Sequence, residues 1–268
     1  MMKKYGLIIL TMGSLLLGGC TSQSEKASTS NSAKIEVKKQ QSSKKESFLH
    51  SDSTDSKQLG RINTFNQKLR RRLGSEALLP AADGLTKQSN KLNIRYNGTD
   101  TEHSIFYSVG KKAKGFNDNS LAQETPYAEF SQKNYATTEA AAQQIDHRTA
   151  ADFNGLPPVD LGHNIQGYLD AGAGQRYLSW NEGNWSLVIH APAAQEQQLK
   201  NLAKQTVNLL EKYALPVPRL YGQVYFEVEN QAGQRDQVIT WQDEKTVYKL
   251  SAHNFTTAIK MVASMKEK

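Results

Sequence analysis

The sequence predicts an α+β fold, an antiparallel sheet with helices packed on one face and a duplicated β-β-β-α unit in the C-terminal half. Three observations carry this expectation. Short segments that alternate apolar and polar residues come in runs, which is the pattern of antiparallel strands and not of strands alternating with helices. Two of the runs contain a tryptophan, Trp180 and Trp241, 61 positions apart, and Gly174-Gln175-Arg176 precedes the first as Gly233-Gln234-Arg235 precedes the second. Each of these runs leads into a segment with helical apolar spacing, so the repeat is one of whole supersecondary units.

Taken in order, Leu59, Ile62, Phe65, Leu69 and Leu73 draw one stripe on a helix over 58–73, with Arg61, Lys68, Arg70, Arg71 and Arg72 mostly off it and Gly74 as its stop. Residues 92–96 and 105–109 alternate about Asn97-Gly98-Thr99-Asp100 and predict a hairpin. A short strand at 127–130 and a short helix at 137–145 follow, ended by Gly155-Leu156-Pro157-Pro158. The duplicated unit then reads as strands at 167–169, 177–180 and 185–189 with a helix carrying Leu199, Leu202, Ala203, Thr206, Leu209, Leu210 and Tyr213. It repeats as strands at 224–228, 238–241 and 246–250 with a helix capped by Asn254. Pro192 before the first of these helices and Pro216 and Pro218 after it mark its ends.

The N-terminus has a different logic. Lys3 and Lys4 precede an apolar stretch over 6–17 and then Gly18-Gly19-Cys20, the three parts of a secretory signal. That stretch is short of the ~20 residues a bilayer span needs. Leu17-Gly18-Gly19-Cys20 resembles the lipobox of bacterial lipoproteins. The resemblance implies a signal peptide over 1–19, cleavage between Gly19 and Cys20, and a diacylglycerol on the Cys20 thiol, which would anchor the mature chain to a membrane. Cys20 is the single cysteine, so lipidation would leave none for a disulfide or a thiol nucleophile. Residues 20–57 are rich in Ser, Lys and Gln and read as a disordered tether. With its lipobox, polar spacer and tryptophan strands, the mature chain resembles uncharacterised membrane-anchored lipoproteins of Gram-positive bacteria, which implies a place on the extracytoplasmic face of the cell membrane. Residues 58–268 read as one extracytoplasmic domain with sub-units at 58–160 and 161–268.

Charge excludes one class of partner. Removing Lys3 and Lys4 takes the formal charge from +7 to +5, and without a dense basic face no nucleic-acid partner is expected. Arg70, Arg71 and Arg72 are candidates for contact with an anionic surface, against the plainer reading of a solvated helix face. Trp180-Asn181-Glu182-Gly183-Asn184-Trp185 predicts a four-residue hairpin loop with an indole at each foot. Trp180, Glu182 and Trp185 are the candidate ligand platform, with hairpin packing the weightier alternative.

The six histidines stand singly, and Asp160 with His163 or Asp146 with His147 make weak metal pairs; no metal and no cofactor is expected. Ser108-Val109-Gly110-Lys111 has the spacing of a serine nucleophile with its lysine but lies on a strand without the partner motifs, and is rejected. The expectation is therefore a non-catalytic binding or interaction module of the cell envelope, with a cell-wall component or envelope protein as partner. Two alternatives stand beside it: an envelope hydrolase using Glu182, Asp160 and Asp170, and a transporter's substrate-binding lipoprotein.

Overall fold

The computed structural model describes residues 52–85 and 89–265. Gly19, Cys20, the lipobox and the tether up to residue 51 lie outside the described residues. Helix α1 (Asp52–Leu73) begins inside the stretch expected as tether. Its Ile62, Phe65 and Leu69 are buried as the stripe predicts, each such side chain contributing about 1.5–3 kcal/mol. Gly74, at φ +102°, donates its N–H to the Arg70 carbonyl at 3.0 Å and ends the helix in a conformation that glycine adopts without strain. Arg61 is not a surface cation: its guanidinium donates to the Leu92 carbonyl, to Asn93 Oδ1 at 3.1 Å and to the Lys114 carbonyl at 2.6 Å, and so ties the helix to the first strand.

Among the described residues, strands β1 (Leu92–Gly98), β2 (Glu102–Val109), β3 (Ala128–Asn134), β4 (Pro158–Gly162), β5 (Ile165–Gly172), β6 (Gln175–Glu182), β7 (Trp185–Pro192), β8 (Gly222–Glu227), β9 (Gln237–Asp243) and β10 (Thr246–Ala252) form one ten-stranded sheet. Its order is β1-β2-β3-β10-β9-β8-β7-β6-β5-β4, so one sheet runs through both halves of the domain. The sheet is mixed, correcting the expectation of a purely antiparallel one. Strands β7 and β8 pair in parallel, while the other neighbours are antiparallel. The cause is helix α3 (Glu196–Leu210), a crossover that returns the chain in its original direction, as a parallel pair requires.

Alternate positions of the strands build the core: Leu178 and Trp180, Leu187 and Ile189, Val224 and Phe226, Ile239 and Trp241, Leu250 and Ala252. Leu199, Ala203 and Val207 of α3 join the same cluster, as do Ala258, Ile259 and Val262 of helix α4 (Phe255–Ala263). Helix α3 packs against β4, β6 and β7, α4 against β9 and β10, and α1 against β1. Asn254 caps α4 as expected, its Oδ1 accepting from the Thr256 N–H at 2.8 Å. The short helix α2 (Thr138–Ala142) behaves differently. Its Thr138 carbonyl accepts from Gln242 Nε2 at 2.8 Å, and Gln242 alternates with Trp241, so α2 meets the sheet from the side opposite the core. No helix among the described residues is long and apolar enough to cross a membrane.

Candidate functional site

Strand β3 lies near one edge of the sheet and β4 forms the other, so residues 135–157 must traverse β10, β9, β8, β7, β6 and β5. They do so as a strap over the face turned away from the core. Besides Thr138, it is fastened at Arg148, whose N–H donates to Ser186 Oγ at 3.1 Å and whose carbonyl accepts from Asn181 Nδ2 at 2.8 Å. Farther on, Phe153 stacks against Tyr168 of β5 at 5.2 Å. Ser186 and Asn181 belong to the alternate set that excludes Leu187 and Trp180, which is why the strap finds polar anchors there.

Beside the strap the same face is open. A groove of about 700 Å³ has its floor on Ser104 and Phe106 of β2, Ser131 and Lys133 of β3, Val247 and Lys249 of β10, Val238 and Thr240 of β9, and Gln223 and Tyr225 of β8, with Tyr135 and Gln144 of the strap as a wall. Its chemistry is that of hydroxyls and amides interleaved with aromatic rings. Lys133 is neutralised by Glu102 at 3.0 Å, whereas Lys249, on the floor between Ser131 and Thr240, makes no ion pair or hydrogen bond through its side chain among the described residues. Burial, followed by neighbouring Glu227, pushes the Tyr225 phenol far above its ordinary range, so it stays a neutral hydroxyl. Burial lowers the pKa of His103 at the groove's edge, and its Nδ1 faces the Thr99 carbonyl at 3.1 Å.

Past Tyr225 the ladder continues as Glu227, His190 and Tyr177. His190 Nδ1 lies 2.6 Å from Glu227 Oε2 and its Nε2 lies 2.8 Å from Gln175 Oε1, with the Tyr177 ring stacked 4.6 Å away. Both ring nitrogens are engaged, so the imidazole is held as part of the sheet surface. Neither this pair nor Lys249 was singled out from the sequence. The only local signal was that each is polar at an alternate position of an otherwise apolar strand, and their neighbours follow from strand pairing.

The other candidates are placed as follows. Trp180, Glu182 and Trp185 do come together, but on the core side. The loop between them has two residues, not four: Glu182 pairs directly with Trp185, and Trp180 with Leu187. The indoles are 1% and 7% exposed, so they form no open platform, which agrees with the packing alternative. Trp180 Nε1 donates to Glu182 Oε1 at 2.7 Å, and burial, then the charge of Glu211, raises the Glu182 pKa despite that bond. Arg71 and Arg72 are exposed and Arg70 is half-buried; with Asn63, Gln67 and Ser75, Arg70 and Arg71 line a shallow depression, and none of the three forms an ion pair among the described residues.

The acids of the hydrolase alternative are not gathered. Asp170 pairs across to Tyr177, which faces away from the side that carries Glu182, and Asp160 and Asp170 each accept a backbone N–H, from Gly162 at 2.9 Å and Ala171 at 2.7 Å. Ser108 donates to Glu124 Oε2 at 2.7 Å and is part of a knot with Asn93 and Lys114. In that knot burial would raise the Glu124 pKa, but bonds from Ser108, Asn93 and Lys114 outweigh it and hold the carboxyl low. His163 bonds Asn208 at 2.9 Å and His147 lies against Tyr221 at 4.5 Å. Comparison of the chain with protein-family models, with curated proteins and with solved structures returned no match.

Proposed function

We propose that this chain is a surface-anchored extracytoplasmic lipoprotein whose folded part is a non-catalytic binding module of the cell envelope, taking a polar envelope polymer along the open face of its sheet. The observation that carries the reading is the groove floored by Lys249. A concave sheet face lined by hydroxyls, amides and aromatic rings suits a hydroxyl-rich chain, and an ammonium at its centre that has no partner among the described residues suits anionic groups on that chain. Among the described residues the scattered acids and the engaged His190 offer no nucleophile beside a free base, which favours binding over hydrolysis. One continuous sheet, in place of two lobes of alternating strands and helices, favours it over a transporter's binding protein. The anchor rests on the lipobox ending at Cys20, and Arg70, Arg71 and Arg72, without an ion pair among the described residues, would face anionic headgroups or wall polymer.

The proposal extends to the architecture. Helices α1, α3 and α4 share one face of the sheet, and β5-β6-β7-α3 and β8-β9-β10-α4 are copies of one unit. The paired tryptophans, the repeated Gly-Gln-Arg and the two meanders lying side by side in the sheet support this.

The test is co-sedimentation of the full chain with purified wall polymer, together with labelling of cells by a clickable palmitate. Lys249→Glu should abolish sedimentation without lowering the melting temperature, and Cys20→Ala should abolish labelling. Sedimentation unchanged in Lys249→Glu would remove the groove from the reading, and a labelled Cys20→Ala chain would remove the anchor.

A further inference from the structure

A second concavity lies on the opposite side of the sheet, where the β6–β7 hairpin tip meets the connection from α3 to β8. It measures about 300 Å³, at the lower end for small-molecule sites. Its walls are apolar, made by Trp185, Leu187, Leu210, Leu215, Pro216 and Val217, and among the described residues its one ionisable lining group is Glu182.

The walls are fixed before any ligand arrives. Trp185 Nε1 donates to the Pro216 carbonyl at 3.1 Å, Asn184 Nδ2 donates to the Pro218 carbonyl at 3.1 Å, and the Gly222 N–H donates to the Asn184 carbonyl at 2.9 Å. Gly222 packs so closely that a Cβ there would stand 2.5 Å from the Trp185 ring. Two prolines stiffen the rim, and Val217 between them is 89% exposed.

Within this rigid cup the carboxylate is under-compensated. One oxygen accepts the Trp180 indole N–H at 2.7 Å, and the Glu182 carboxylate has no other hydrogen bond and no cationic partner among the described residues. Its charged neighbour is another acid, Glu211 at the end of α3. A carboxylate held among apolar walls without a cation disfavours the folded state, and glutamine would fill the same space without that cost. Such a group is complementary to a positive charge carried on an apolar arm.

We infer that this cup is a binding site for a primary alkylammonium, its apolar arm lying against Trp185, Leu210 and Pro216 and its ammonium on Glu182. The chemistry is shared by a free alkylamine and by a lysine side chain presented on a peptide. The site is independent of the Lys249 groove, so either can fail without the other.

The test is calorimetric titration of the full chain with n-pentylammonium, with 1-pentanol, and with Nα-acetyl-lysine methylamide. Pentylammonium should bind at millimolar concentration, and pentanol, of equal length but uncharged, about tenfold or more weakly. Glu182→Gln should remove that preference while folding as well as the parent, and Lys249→Glu should leave it intact. If the lysine derivative binds at least as tightly as pentylammonium, the source is a lysyl side chain; if only the free amine binds, it is a small molecule. Equal binding of amine and alcohol, an undiminished preference in Glu182→Gln, or no binding of any probe at millimolar concentration overturns the inference.

Discussion

Two hairpin tips on the core side of the sheet, Trp180-Asn181-Glu182 closing into Trp185 and Trp241-Gln242-Asp243 closing into Thr246, begin from the same pattern and end as different environments. Each has a buried tryptophan with an acid two positions later on the same side of its strand, and each borders a concavity that shares Pro216 and Val217. At the first tip the residue across the turn is Trp185, and its indole together with the proline segment encloses Glu182. At the second it is Thr246, which encloses nothing comparable, and Glu244 of the turn reaches outward to Arg219 at 3.2 Å. Trp241 instead packs among rings, Tyr248 at 5.2 Å, Phe130 at 6.3 Å and Trp185 at 6.4 Å. The same spacing of indole and acid thus becomes an aromatic packing site in one place and an enclosed, under-compensated charge in the other, according to the residue across the turn.

The largest test of this contrast is removal of the indoles. Trp180→Ala and Trp241→Ala should each cost about 3–5 kcal/mol in denaturant unfolding, since both side chains are buried and neither void can close fully. A Trp180→Ala cost below about 1 kcal/mol would show that the first tip is not built on its tryptophan. Next comes Gly222→Ala, whose methyl would meet the Trp185 ring and Pro218. It should cost about 1–3 kcal/mol and shift the fluorescence of Trp185, while Gly172→Ala, with open space around it, should leave that emission unmoved.

The enclosed acid gives the first tip a pH dependence. The folded pKa of Glu182 is raised, so its contribution to stability is complete below the unfolded pKa and is lost as pH rises through the folded value. Glu182→Gln should therefore melt higher than the parent at neutral pH, with the gap closing as pH falls below the unfolded carboxyl range. A lower melting temperature for Glu182→Gln at neutral pH would contradict the burial argument. The smallest effect belongs to the Arg219–Glu244 pair, whose side chains are 63% and 66% exposed: Arg219→Ala should change stability by less than about 1 kcal/mol, and less still in high salt.

Much of the fold was legible because its signals are local. The stripe of Ile62, Phe65 and Leu69, the alternation around Trp180 and Trp241 and the Asn254 cap each report a period or a stop within a few residues. The ends were less legible: α1 starts earlier than its apolar stripe because polar residues can extend a helix that packing has already nucleated. The site was legible only in fragments. Glu182 and the indoles were visible as residues, but the short turn that pairs Glu182 with Trp185 reversed their meaning from an exposed platform to a walled cup. His190 beside Glu227, and Lys249 between Ser131 and Thr240, were invisible because each neighbour is contributed by a different strand.

By itself the sequence determined the strands other than β4, which the prolines at 157 and 158 concealed, the helices and their order, the repeated pairing of tryptophan and acid, and the N-terminal motif ending at Cys20. Only the tertiary structure decided that β7 and β8 run parallel, that residues 135–157 strap the open face and leave a groove beside it, and that one of two equivalent acids is enclosed. The physical reason is range. Periodicity and capping act over one or two turns of chain, whereas the burial of a charge depends on whatever distant segment the sheet order brings to lie over it.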